Sequence, residues 1–158
     1  MVALTVTPDA GHYFTGWSGD LSGSANPDSL LMDGNKNVTA SFAPLPQFTL
    51  DVDTVGGGGV VVAPDTSGGV YDSMSVLSLA ATPDSGYYFS GWSGDLSSSD
   101  NPVNVTMDSN KNITANFTLL PDFILTIQKI GSGSVSMSPD TLPGGIYDST
   151  TVVTLTAT

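Results

Sequence analysis

The sequence predicts an all-β protein made of tandem, small sheet modules, and three observations carry that expectation. The first is internal repetition: Thr7 to Phe42 aligns with Thr82 to Phe117 without a gap, 75 positions apart and identical at 24 of 36 residues, with a shared core of TPD-x-G-x-YF-x-GWSGDLS. Self-similarity at a fixed period decides architecture before any local pattern is weighed. The second is a side-chain period of two, which places alternate residues on opposite faces of a strand. The third is composition. All 15 acidic residues are Asp, Arg is absent, and the basic residues besides His12 are Lys36, Lys111 and Lys129. Asp favours turns and caps whereas Glu, Lys and Arg favour helices, so the bias opposes helix. The 18 Gly and 10 Pro supply turn residues.

The repeat continues beyond that block. Phe48 to Asp65 aligns with Phe123 to Asp140, and GVYDS at Gly69 to Ser73 returns as GIYDS at Gly145 to Ser149 after a one-residue insertion. Residues 1–43 therefore read as the second half of a module, residues 44–118 as a complete one, and residues 119–158 as the first half of a third. The period exceeds the roughly 20 to 50 residues of solenoid units, so each module is expected to own its core and the array to be beads on a string.

Within the complete module, Phe48, Leu50 and Val52 alternate with Thr49, Asp51 and Asp53, which predicts a half-buried first strand, repeated by Phe123, Leu125 and Ile127. Gly56 to Gly59, and Gly131 to Ser134 later, predict a hairpin into a second strand carrying Val60 and Val62, matched by Val135 and Met137. After a Pro-Asp turn, a third strand has Leu77, Leu79 and Ala81 inward. Val2, Leu4 and Val6 repeat it, as do Val153, Leu155 and Ala157. The fourth segment, Tyr87 to Trp92, puts Phe89 and Trp92 three apart, which a regular strand cannot place on one face; Gly91 is positioned to carry the bulge that corrects this. Both aromatics, with Phe14 and Trp17 in the earlier copy, are expected in the core. A polar loop from Ser93 to Asn101 leads to a fifth strand with Val103, Val105 and Met107. Asp108 to Lys111 then turns the chain into a sixth with Ile113, Ala115 and Phe117, for which the first copy has Val38, Ala40 and Phe42.

In this order the segments run Gly-x-Gly-x-Val, a Tyr-containing turn, Val-x-Leu-x-Ala, Pro-Asp-x-Gly-x-x-Phe-x-Gly-Trp-x-Gly-Asp, and Met-Asp-x-Asn-Lys-x-(Val/Ile)-Thr-Ala-x-Phe. The series resembles the divergent internalin B-type B-repeat of bacterial surface proteins. The likeness covers essentially the whole chain and is carried most specifically by GWSGD and NKxxTAxF. It implies a small β-grasp-like sheet, used in tandem as a spacer or adhesive module on the cell surface, with no catalytic residues to carry over. A β-grasp adds a short helix or turn across its sheet. The room for one is at Ser93 to Asn101, where the composition is poor for a helix.

Charge and residue content exclude several classes. A net charge of −12 repels phosphate backbones and anionic membrane surfaces, so neither nucleic acid nor a lipid bilayer is an expected partner. Cysteine is absent, which removes disulfides, thiolate metal sites and a cysteine nucleophile. No run approaches the roughly 18 apolar residues of a membrane-spanning helix. Met1 to Thr5 has neither the basic start nor the apolar core of a signal peptide, so the expected extracellular or cell-surface location would rely on a signal and an anchor elsewhere.

Residues that carry chemistry are few. His12 becomes Tyr87 in the next copy, so a catalytic dyad or imidazole metal site would not recur. Gly16 to Gly19 resembles part of a serine nucleophile elbow, but the spacing is wrong and no strand-turn-helix context follows. The chain is not expected to be an enzyme or to need a cofactor. Asp33 and Asn35, like Asp108 and Asn110, open as a calcium loop would, yet the bidentate acid near the loop's end is missing and Lys36 and Lys111 sit among the ligands. A hairpin turn explains the same residues, because Asn and Asp tolerate left-handed backbone and bond locally. Asp20 or Asp95, with the loop that follows, is a weaker cation candidate. Trp17, Trp92 and Tyr88 would make a sugar-stacking platform if exposed and a core if buried.

The links between modules, Ala43 to Gln47 and Thr118 to Asp122, are short and contain proline, which makes them stiff. If first and last strands lie parallel and adjacent, the chain enters a module at one end and leaves at the other, and the array is a rod. Residues 119–158 and 1–42 are complementary halves, each exposing strand edges and an apolar face that β-proteins normally cover. The doubled third strand, Val2, Leu4 and Val6 against Val153, Leu155 and Ala157, is the expected assembly element. The sequence thus points to a structural or spacer repeat of a bacterial extracellular surface protein or filament, partnered by itself head to tail or by neighbouring repeats. The alternative is an adhesive module binding glycan or calcium.

Overall fold

The structure, a computed structural model, describes residues 1–66, 68–139 and 145–158. The insertion in the third copy and Asp140 of its Pro-Asp turn lie outside the described residues. The fold is all-β, with no helix among the described residues. Ser93 and Gly94 belong to a strand, and Asp95 to Asn101 run as loop, pinned by an isolated bridge between Trp92 and Ser98.

The first copy contributes β1 (Val2–Leu4), β2 (His12–Gly19), β3 (Asp28–Leu30) and β4 (Val38–Pro44). The central copy contributes β5 (Gln47–Val55), β6 (Gly58–Ala63), β7 (Val70–Asp72), β8 (Val76–Pro83), β9 (Tyr87–Gly94), β10 (Val103–Thr106) and β11 (Lys111–Leu119). The third has β12 (Asp122–Ile124), β13 (Val135–Ser138), β14 (Ile146–Asp148) and β15 (Thr154–Ala157). Central strands form two sheets, ordered β10-β8-β6 and β7-β5-β11-β9; the outer copies form the pairs β1-β3, β2-β4, β12-β14 and β13-β15.

Two expectations are corrected here. Gly56 and Gly57 do not close a hairpin between β5 and β6, which lie in different sheets; nor does the Asp108 turn, which passes from β10 in one sheet to β11 in the other. A period of two fixes which face of a strand is buried but not which strand pairs with it. The central copy also has a strand more than the six expected. β7 pairs with the start of β5, Phe48 opposite Tyr71, and buries the tyrosine of the GVYDS motif.

The bulge is where the glycine spacing placed it. Along β9 and β11 the register passes from Gly91 opposite Asn116 to Phe89 opposite Phe117, leaving Ser90 without a partner. β2 and β4 skip Thr15 in the same way. The extra residue brings Phe89 and Trp92 to one face, where their rings meet edge to face at 5.1 Å between centroids.

First and last strands of the central copy are neighbours, and they run parallel. Near the start of β5 the Thr49 N–H donates to Asn110 Oδ1 at 2.9 Å. At its far end Gly56 abuts the carbonyl oxygen of Phe117. The partners advance together along both strands, which only a parallel pair allows.

Contacts divide the described chain into two compact units: Met1–Leu50 with Asp65–Leu77 and Thr106–Lys111, and Asp51–Pro64 with Ser78–Val105 and Asn112–Thr158. The first buries Trp17, Tyr71, Leu77 and Met107. The second buries Leu79, Ala81, Trp92, Val105, Ile113, Ala115 and Phe117, the inward positions of three strands and the bulged aromatic. Each sequence boundary between copies falls inside a unit.

Candidate functional site: the GWSGD latch and the junction between copies

The longest run repeated without change, GWSGDLS, builds a structural latch. Trp92 is 4% exposed, and its indole Nε1 donates to the Asp100 carbonyl at 2.9 Å, while its backbone N–H donates to the Ser98 carbonyl at 2.7 Å. Gly94 holds φ at +91°, and a Cβ there would collide with the carbonyl oxygen of Asn112. Only glycine fits a position that combines left-handed backbone with such an approach. Asp95 then closes the loop twice: its N–H donates to the Asn112 carbonyl at 2.9 Å, and its Oδ2 accepts from the Asn112 N–H at 2.7 Å. The first copy repeats each contact, Trp17 to the Ala25 carbonyl at 2.9 Å and Asp20 to the Asn37 N–H at 2.6 Å. GWSGD therefore ties the end of one strand to the start of the last strand.

An asparagine completes the latch, and sequence reasoning missed it. The Asn101 amide accepts from the Ala81 N–H at 2.8 Å and donates to the Ala81 carbonyl at 2.7 Å, pairing as a strand residue would. Asn26 brackets Val6 in the first copy. The signal was available: Asn-Pro recurs at the same offset from GWSGD.

The candidate ligand residues are engaged as follows. Both indoles are buried, which leaves Tyr88 exposed without them and separates the members of the sugar platform. The Asp20 and Asp95 carboxylates accept backbone N–H groups within the latch. In the two calcium-like loops the Lys36 ammonium lies 2.7 Å from Asp33 and the Lys111 ammonium 2.6 Å from Asp108. The hydrogen bond and charge of Lys111 hold the Asp108 carboxyl below the usual carboxylate range. Asn110 accepts the Thr49 N–H on its side-chain oxygen, while Asn35, its counterpart, is exposed.

The proposed assembly residues lie on separate strands. Val2 is exposed and Leu4 half-buried on β1, with Val6 half-buried beyond it. Val153 is half-buried before β15, whereas Leu155 and Ala157 are exposed on it.

A second recurring structure sits where one copy meets the next. The Leu45 N–H donates to the Gly11 carbonyl at 2.8 Å and the Ser73 N–H to the Pro46 carbonyl at 2.7 Å. At the following boundary Leu120 donates to Gly86 at 2.8 Å and Ser149 to Pro121 at 2.8 Å. The Asp72 and Asp148 carboxylates lie beside Gly11 and Gly86, 3.6 and 3.7 Å from the Cβ positions. Each linker is thus bonded to the copy before it and the copy after it. TPD-x-G and YDS are conspicuous in the sequence, but nothing local in either shows that they meet.

A family profile, the divergent InlB B-repeat domain, matches residues 1–46 and again residues 48–121, the break between the two matches falling in the proline-containing linker. Comparison with curated proteins and with solved structures gave no match. The profile describes a repeat domain of bacterial surface proteins and not a known enzyme family. With most of its length so matched, repeat by repeat, the chain belongs to the divergent InlB B-repeat family.

Proposed function

We propose that this chain is a structural spacer of a bacterial extracellular surface protein or filament, partnered by neighbouring repeats. The observation that carries the reading is the junction: the same two hydrogen bonds recur at both boundaries between copies. A linker bonded on both sides cannot act as a free hinge, so each added copy takes up the orientation set by the one before. Such repetition of one geometry is what a stalk requires, and the longest unchanged repeat, the GWSGD latch, is spent on holding strands together.

Small-angle scattering and negative-stain microscopy of the purified chain test this. The spacer reading expects stiff, elongated particles. Compact particles with copies in variable orientation would refute it, and saturable binding of a glycan array or a calcium-dependent melting shift would favour the adhesive alternative.

A further inference from the structure

The two sheets of the complete central copy end in β7, β9, β10 and β6, and the first three of these edges are guarded. β7 is three residues long and carries Asp72. β9 is bulged at Ser90, and its Trp92 N–H is taken by the Ser98 carbonyl of the loop that follows. β10 is four residues long, and just beyond it the Met107 N–H and carbonyl are bonded to Ser75 and Met74. Shortness, charge, bulges and covering loops are the means by which natural sheets keep their edges from pairing. β6 has none of them. Gly58–Ala63 runs six residues without a charge, a proline or a register shift, and among the described residues it pairs on one side only, with β8.

The open side of β6 presents a row of ladder groups. Ala81, opposite Val60, gives its N–H and its carbonyl to the Asn101 amide at 2.8 and 2.7 Å, and so turns both away from β6. Residues opposite one another in an antiparallel pair alternate between bonded and non-bonded, so Val60 and, two residues on, Val62 direct their own N–H and C=O away from β8. The side chains agree. Leu79 and Ala81 of β8 are 0% and 6% exposed, whereas Val62 and Val60 opposite them are half-buried, lacking the cover that a further strand gives.

We propose that the free edge of β6 is a strand-addition site for a partner of positive charge: an extended segment, antiparallel to Gly58–Ala63, that alternates apolar with polar residues and carries Lys or Arg at the end beside Asp84. Main-chain bonds to Val60 and Val62 supply the affinity, and apolar residues laid beside the two valines set the register. The edge is uncharged, so its surroundings decide the sign of the partner. The chain holds 15 Asp against 3 Lys, a net charge of −12. Asp84, whose N–H donates to the Gly57 carbonyl at 3.2 Å, stands exposed at one end of the edge. A field of this sign draws in cationic segments and repels a second copy of the chain. The partner is additional to the neighbouring repeats of the spacer reading, which does not depend on it.

The probe is a short synthetic peptide of alternating Val and Thr flanked by lysines, titrated into the full chain while backbone amide exchange is followed by NMR. Strand addition puts peptide valines opposite Val60 and Val62 with their N–H groups facing β6, and leaves the threonine N–H groups facing solvent. The Val60 and Val62 amides therefore become protected. N-methylation of the peptide valines abolishes binding, and N-methylation of its threonines leaves it intact. Asp84→Asn weakens binding about two- to fivefold, as loss of one surface charge pair does, and added salt weakens it further.

No protection at any peptide concentration, or equal effects of the two methylations, overturns the site. An Asp-flanked peptide that binds as well as the Lys-flanked one overturns the charge assigned to the partner. Protection of the Val60 and Val62 amides in the free chain, with dimers in sedimentation, gives the edge to a second copy and overturns the proposal as well. None of these outcomes touches the junctions on which the spacer reading rests.

Discussion

Replacing Trp92 with alanine should come close to unfolding the central copy. The indole is 4% exposed, stacks edge to face on Phe89 and donates to the Asp100 carbonyl. Removing a buried Trp costs about 3 to 5 kcal/mol in lost transfer energy and cavity formation. The abandoned Asp100 carbonyl adds to this to the extent that water cannot reach it. A copy of this size has a total stability of roughly 4 to 11 kcal/mol. At about 4 to 8 °C per kcal/mol for a small domain, the melting temperature should fall by about 12 to 40 °C. The chain has two tryptophans, so a Trp17→Phe background makes Trp92 the sole indole and its emission a direct report of burial. Thermal melts followed by circular dichroism then compare Trp92→Ala with its parent. An emission maximum typical of indole in water, or a fall in melting temperature below about 5 °C, would refute the assignment of Trp92 to the core.

Further outcomes follow from the latch and the loops. Gly94→Ala forces a Cβ onto the Asn112 carbonyl at a left-handed position and should destabilise by about 2 kcal/mol or more, whereas Gly34→Ala, with open space around it, should be near neutral in denaturant titrations. Lys111→Ala should return the Asp108 carboxyl up to the ordinary carboxylate range in an NMR titration. The Asp108 value is depressed in the folded state, so the pair's contribution is present above the unfolded carboxylate pKa and is lost as pH falls through the folded one. The Asp108 side chain is 64% exposed, so the charge pair itself should add little to the melting temperature at neutral pH; the Lys111 side chain is 14% exposed, so Lys111→Met, which keeps the packed stem, should leave the melting temperature nearly unchanged, and a fall of many degrees would show a structural role for the charge. EDTA should leave the melting temperature unchanged, because the Asp33 and Asp108 carboxylates are already matched by lysine, and a large EDTA-induced drop would count against the turn reading.

The strand pattern was legible because burial and period coincide. Leu77, Leu79 and Ala81, or Ile113, Ala115 and Phe117, alternate with small or polar residues and are all buried. Phe89 and Trp92 broke the period, and the glycine between them supplied the explanation. Partner choice was not legible. The run of glycines at Gly56 to Gly59 looks like a hairpin, yet what it reflects is the close approach of Phe117 and Tyr87, residues distant in sequence. β7 escaped notice because Val70, Tyr71 and Asp72 are too few to show a period, and their strand character comes from pairing with Phe48. The junction was hidden for a related reason: it is made by backbone carbonyls of Gly11 and Pro46, and a carbonyl carries no residue signature.

The parallel neighbours β5 and β11 bear on how the molecule takes a pull. In the spacer role proposed above the chain is pulled along its length, with load entering the central copy at Gln47 and leaving at Leu119, the outer ends of these two strands. Because the strands run in the same direction side by side, tension slides one along the other and strains the hydrogen bonds between them together. A hairpin pulled from its open end would instead surrender its bonds one by one. Resistance to force is governed by the unfolding rate along the pulled path, not by equilibrium stability. A repeat with a modest melting temperature can therefore still be a stiff element under tension, and single-molecule extension should record high rupture forces for the central copy despite its small core.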